Sequence, residues 1–280
     1  MSEDLRMAAG TTYQLQVSTL EGIELTSSNP AVIDVGLAAA DKTVVVTAAN
    51  AGSTTLTARC VETGEVVRTS RVYAVPVASI DLHYRGAPGV DEPITTVAGL
   101  LGGVDSIGVI YRDNRGLRLS GTGQFAVRGT TVALAPARPR RLTDSLLQTS
   151  TDVDLEFLSL GTAELVASVA GGIERVLPIE VVAGPATVGL VAAALSGWTL
   201  VPEPTTAWSR VYLVTAVTAK TADGRYLSGV DAAWEITPNL APSALAQGTT
   251  EIMVQVSGPG PAAITATIGD LMVTREFAEE

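Results

Sequence analysis

The sequence has one histidine (His83) and one cysteine (Cys60) in 280 residues. Neither a zinc site of His/Cys type nor an intrachain disulfide can be assembled from them. A Ser-His-Asp triad would have to use His83, and no Gly-x-Ser-x-Gly elbow holds a serine for it. Aromatic residues are scarce at 4%, so a glycosidase cleft lined with sugar-stacking rings has little to be built from. Lysine is nearly absent: Lys42 and Lys220 stand against sixteen arginines. The acids outnumber the bases to give a net charge of −11, which repels nucleic-acid phosphate and anionic lipid. No long apolar run crosses a membrane, and residues 1–4, Met-Ser-Glu-Asp, lack the features of a signal peptide. The chain is therefore expected either inside the cell or, with a leader removed, outside it.

What remains is aliphatic. Hydrophobic residues make up 46% and charged residues 17%, a composition that folds around Ala, Val, Leu and Ile. Long helical periodicity is missing. Only the Ala-rich stretch Val188 to Leu195 reads as a turn of helix. Elsewhere the period is two, as in Tyr13 to Val17, Thr43 to Thr47 and Val230 to Ile236, bounded by Gly, Asn, Asp or Pro.

Internal repeats organise the chain. Gly52-Ser-Thr-Thr-Leu56-Thr-Ala58, Gly161-Thr-Ala-Glu-Leu165-Val-Ala167 and Gly260-Pro-Ala-Ala-Ile264-Thr-Ala266 share one form at offsets of 109 and 99. Each precedes a glycine turn and a closing strand, at Val66 to Val75, Arg175 to Val182 and Met272 to Phe277, which reads as a hairpin. Arg115 to Gly121 matches Asp223 to Gly229 at offset 108, both ending in Leu-Ser-Gly. The middle repeat thus has nine extra residues, placed in a surface loop near 135–150. Pro76 and Gly184-Pro185 set the expected boundaries, giving domains 1–77, 78–184 and 185–280. Their net charges are −3, −3 and −5. Linkers this short join neighbours semi-rigidly. The expected fold is all-β, three tandem sandwiches in an elongated rod.

The first repeat resembles the group 2 bacterial immunoglobulin-like domain. The resemblance rests on Ser27-Ser28-Asn29-Pro30-Ala31-Val32-Ile33-Asp34-Val35, then Val46-Thr47-Ala48 and Ala51-Gly52-Ser53-Thr54-Thr55-Leu56-Thr57-Ala58, with Ile33 where the family has Ala. The other two repeats keep the ending, lose the Ser-Asn-Pro element, and look closer to group 1 or invasin-like relatives. The resemblance implies stalks, spacers and adhesins of bacterial surfaces or phage particles, located at the cell surface or on a virion. It brings no catalytic residues and no cofactor. Partners are then other proteins, sister subunits or a cell-surface glycan; the alternative function is a glycan- or small-ligand-binding protein that uses the last domain.

Candidate sites follow from chemistry. Arg138, Arg140 and Arg141 form the one basic cluster, a candidate for contact with an acidic partner. Trp198 and Trp208 flank a Pro-rich segment and are the candidate glycan-stacking pair. Trp234 falls in phase with Val230, Ala232 and Ile236 and is expected in the core, as is Phe125 in the middle repeat. Asp152, Asp154 and Glu156 alternate along one strand face, about 7 Å apart, too spread to converge on calcium. Asp81 and Glu180 lie near the linkers as a second calcium candidate. His83 is expected outward, between inward Leu82 and Tyr84. Cys60 is expected buried or half-buried, and Gly99 to Gly103 is expected to be a turn rather than a phosphate cradle.

Overall fold

A computed structural model describes residues 5–16, 22–38, 43–84, 93–135, 151–194, 212–247, 251–256 and 262–277. Among these described residues all regular structure is β and no helix is long and apolar enough to cross a membrane.

The first seven strands are β1 (Leu5–Ala8), β2 (Thr11–Gln16), β3 (Ile23–Ser27), β4 (Ile33–Ala38), β5 (Thr43–Ala48), β6 (Gly52–Cys60) and β7 (Val66–Val75). They form sheets of order β1-β7-β6-β3 and β2-β5-β4. Met7, Leu56, Val72 and Ala74 from one sheet pack on Ile33, Val44, Val46 and Ala48 from the other. Alternation explains the faces: Thr54 and Leu56 are buried while Ser53 and Thr55 are exposed. Strand β1 runs parallel to β7, so the closing strand is covered on its outer edge.

The second sandwich repeats this plan with β8 (Ser79–Tyr84), β9 (Val97–Leu100), β10 (Val104–Arg112), β11 (Arg118–Leu119), β12 (Gln124–Arg128), β13 (Val132–Leu134), β14 (Thr151–Phe157), β15 (Gly161–Val169) and β16 (Ile173–Val182). Sheet order is β11-β10-β14-β13, with β8 also on β10, facing β12-β15-β16-β9. Strand β9 lies parallel to β16 as β1 does to β7. The third comprises β17 (Thr187–Ala194), β18 (Tyr212–Lys220), β19 (Leu227–Ser228), β20 (Ala233–Ile236), β21 (Leu240–Gln247), β22 (Glu251–Val256), β23 (Ala262–Ile268) and β24 (Leu271–Phe277). Its sheets are β17-β18-β22-β21 and β20-β23-β24. The chain is thus all-β, three immunoglobulin-like sandwiches in series.

Two expectations are corrected. The Ala-rich stretch is strand β17, every residue of which pairs with β18; the partner strand overrides the helical leaning of alanine. His83 is half-buried rather than exposed, lying opposite Gly108 on β10, where a residue without a side chain leaves room for the imidazole. Trp234 and Phe125 do pack against the cores of their sandwiches. Val153, Leu155 and Phe157 turn inward, and Cys60 is half-buried.

Candidate functional site at the joints between sandwiches

The repeated Leu-Ser-Gly elements and the turns beginning Gly10 and Gly102 meet at the joints. In the first joint, Ala8 N–H donates to the Ser120 carbonyl at 2.8 Å and Ser120 N–H to the Arg6 carbonyl at 2.9 Å. Thr12 and Thr122 exchange two further backbone bonds of 3.0 and 2.6 Å. In the second joint, β19 of the third sandwich runs parallel to β9 of the second, with Leu227 opposite Ala98 and Ser228 opposite Gly99. Each Leu-Ser-Gly segment therefore pairs with the outer edge of the strand that covers the preceding sandwich.

Small residues make the approach possible. A Cβ on Gly121 would lie 1.9 Å from the Thr11 hydroxyl, and one on Gly103 would lie 2.1 Å from the Gly229 carbonyl oxygen. A Cβ on Gly10 would lie 2.5 Å from the Ala170 carbonyl oxygen, so this turn seats on the β15–β16 hairpin end of the next sandwich. Apolar contact follows the same rule. Ala8 and Val77 belong to the core of the second sandwich, with Val75 packed on it. Ala98, Leu100 and Val182 join the core of the third beside Leu227, Ala266, Ile268 and Val273.

The loops ahead of Leu-Ser-Gly have one geometry with different chemistry. Asp113 Oδ1 accepts from the N–H groups of Arg115 and Leu117 at 2.8 and 2.9 Å. In the third sandwich the Thr221 hydroxyl takes its place, accepting from Arg225 N–H at 3.1 Å. Gly116 and Gly224 donate to the carbonyls of Asp113 and Thr221 at 2.9 and 3.0 Å. Each loop also carries one partner of a charge pair across its joint, in opposite sense. Asp113 Oδ2 receives Arg6 Nη2 of the first sandwich at 2.6 Å. Arg225 Nη2 reaches Glu180 of the second sandwich at 2.5 Å and its Nε reaches Asp223 at 2.7 Å. Burial works against the charge of Asp113, but Arg6 and the two N–H donors outweigh it and hold the carboxyl at about 2. The Thr221 hydroxyl and Arg225 likewise hold Asp223 below the ordinary carboxylate range.

Beside the second joint lies an open recess of about 480 Å³ bordered by Thr96, Arg128, Glu164, Pro178, Glu180 and Arg225. Its charges neutralise one another: Arg128 pairs with Glu164 at 3.6 Å, and Arg225 with Glu180. Among the described residues no cluster of three or more His, Cys, Asp or Glu could hold a metal ion. Of the calcium candidates, Asp81 is paired with Arg112 and Glu180 with Arg225. Asp154 accepts the Ser106 hydroxyl, on a strand face that keeps Glu156 exposed. Arg138, Arg140, Arg141, Trp198 and Trp208, with residues 136–150 of the expected loop, lie outside the described residues.

The joints are what residue-by-residue reading missed. Their signal is present: Ala8-Ala9-Gly10 and Leu100-Leu101-Gly102 stand 92 apart, with φ of 83° and 78° at the two glycines. Gly99 and Leu100 end strand β9, and the turn expected over Gly99 to Gly103 is confined to Leu101 to Gly103; the segment is also one half of a joint whose other half was already visible as Leu-Ser-Gly.

No family model and no curated protein matches the chain. Among solved structures it is similar to domains 4-9 of the surface layer protein SbsC, at 18% identity over 91% of this chain and 38% of that one, with a TM-score of 0.38. It is also similar to FdeC, an Escherichia coli adhesin, at 12% identity over 99% and 95% of the two chains and a TM-score of 0.29. A third is invasin, a bacterial integrin-binding protein, at 14% identity over 98% and 58% and a TM-score of 0.28. This chain spans little more than a third of the SbsC fragment.

Proposed function

We propose that the chain is a non-enzymatic structural or adhesive module of a bacterial or phage surface, whose work is to hold three sandwiches in fixed series. In this reading the domains are 1–77, 78–184 and 185–280, the first of the group 2 bacterial immunoglobulin-like type. The observation that carries it is the repetition of one joint: the same edge pairing, the same glycine approach and the same apolar insertion, with an ion pair across each. A chain of independent binding or catalytic domains has no need of strand-paired joints, whereas a spacer or stalk that transmits force or holds a distance does. The direction of the joints supports a rod. The first seats on the Ala170 turn beside the start of β16, and the second uses Val182 at its end. Ten residues of strand separate them, roughly 30 Å at the usual rise.

Small-angle scattering tests this. Three sandwiches in line are expected to give a stiff particle on the order of 100 Å long, with no spread of lengths from bending at the joints. A compact particle, or a flexible string of beads, overturns the reading.

A further inference from the structure

We infer that strand β12 of the second sandwich is the pairing edge of a side-by-side dimer, in which β12 of a second copy runs antiparallel to it about a twofold axis at Ala126. This goes beyond the proposed function, since a spacer needs no such pairing.

Strand β12, Gln124-Phe125-Ala126-Val127-Arg128, bonds to β15 along one edge. Among the described residues no strand pairs with its other edge. An open edge is a template for another chain unless charge, proline or a bulge guards it. Other edge strands have such a guard: Glu24 on β3, Asp34 on β4, Asp81 on β8, Glu235 on β20, and Pro242 with a broken register on β21. The middle of β12 has none. Its one charge, Arg128, is drawn back across its own sheet, with Nη1 3.6 Å from Glu164 of β15 and Nη2 2.8 Å from Glu174 of β16. The edge is left clear.

The strand is complementary to itself. Antiparallel pairing about Ala126 sets Phe125 against Val127 of the second copy, and Gln124 against its Arg128. Phe125 and Val127 are half-buried and pack on the core of the second sandwich. An aromatic ring opposite a β-branched chain is a favourable cross-strand pair, and each covers what the other leaves open at the edge. On the outward face Gln124, Ala126 and Arg128 are exposed. The Gln124 amide oxygen can accept from the facing guanidinium, and Ala126 meets its own copy with no charge between them. A twofold of this kind uses one patch on both molecules and makes their β12-β15-β16-β9 sheets continuous. A strand of five residues covers less than the roughly 800 Å² per partner of a standard interface, so the dimer is weak and reversible. The net charge of −11 on each chain opposes it, and salt strengthens it by screening that repulsion.

The full-length chain, kept reduced, is sedimented over a range of concentrations at low and high salt. The expected result is a mass that rises from one chain toward two and no further, with the rise at lower concentration in high salt. Ala126→Lys and Ala126→Glu, both at an exposed position, are expected to keep the melting temperature and to weaken the dimer roughly fivefold, since like charges then sit opposite each other. Mixing the two variants sets opposite charges across the axis and is expected to bring the dimer back. Gln124→Glu, which places a carboxylate against Arg128 of the second copy, is expected to tighten it. A chain that stays monomeric at every concentration and salt overturns the inference. So does assembly past two chains, undiminished pairing by either Ala126 variant, a mixture no tighter than each variant alone, or a Gln124→Glu dimer no tighter than the original. A stiff monomer that never pairs refutes the dimer and leaves the proposed function standing.

Discussion

Asp113 shows how one side chain fastens two sandwiches. Its Oδ1 closes the loop of its own sandwich through Arg115 and Leu117, and its Oδ2 is left to take Arg6 from the sandwich before. The folded-state value of about 2 lies below the 3.8 of a free carboxyl. A depressed carboxyl adds stability that is complete above the unfolded value and is lost as pH falls through the folded one. The first joint should therefore hold unchanged down to about pH 4 and weaken between there and pH 2. Asp113→Asn keeps an acceptor for the loop but cannot pair with Arg6 as an ion. It is expected to leave the sandwiches folded while removing this acid step from the melting profile; an unchanged profile would show that the pair contributes nothing. The position was written in the sequence as Asp-x-x-Gly before Leu-Ser-Gly. Its partner was not, because Arg6 stands 107 residues earlier and nothing in local spacing links them.

At the scale of elements, strands were legible wherever a hairpin buried one face. The closing strands read as Val66 to Val75 and Met272 to Phe277 match β7 and nearly match β24, since alternation and a glycine turn mark them locally. Strand β17 was not legible, because alanines carry little strand preference and only pairing with β18 settles them. The joints were half legible for the same reason: each half is a local motif, and the meeting of halves is long-range. Gly121 tests the joint as an element. At φ 134° and with Thr11 pressed against it, valine there has no room, whereas Gly116→Ala, at φ 75° with open space around it, meets only the backbone cost of about 1 kcal/mol. Gly121→Val should free the first sandwich to swing, seen as a wider spread of distances between spin labels on the first two sandwiches, with the melting of each sandwich little altered. Gly116→Ala should leave that spread narrow. An equally narrow distribution for Gly121→Val would mean that the joint does not depend on this contact.

Across the whole molecule, stability should pass between neighbours and stop there. The second and third cores each draw residues from the sandwich before: Ala8 and Val77 in the second, Ala98, Leu100 and Val182 in the third. This is the nearest-neighbour arrangement of solenoid proteins, in which each unit is stabilised by its own packing and by one shared face. Trp234 lies between the two apolar clusters of the third sandwich, and its replacement by alanine should cost that sandwich about 3 to 5 kcal/mol. Loosening the third sandwich uncovers Ala98, Leu100 and Val182, so the second should lose a smaller part of its stability through the joint. The first shares no cluster with the third and should be unaffected. Differential scanning calorimetry of Trp234→Ala is therefore expected to show graded shifts: large in the third sandwich, small in the second and none in the first. A single transition moving as a whole would mean that the chain unfolds as one unit, and a shift confined to the third sandwich would mean that the joints carry no energy.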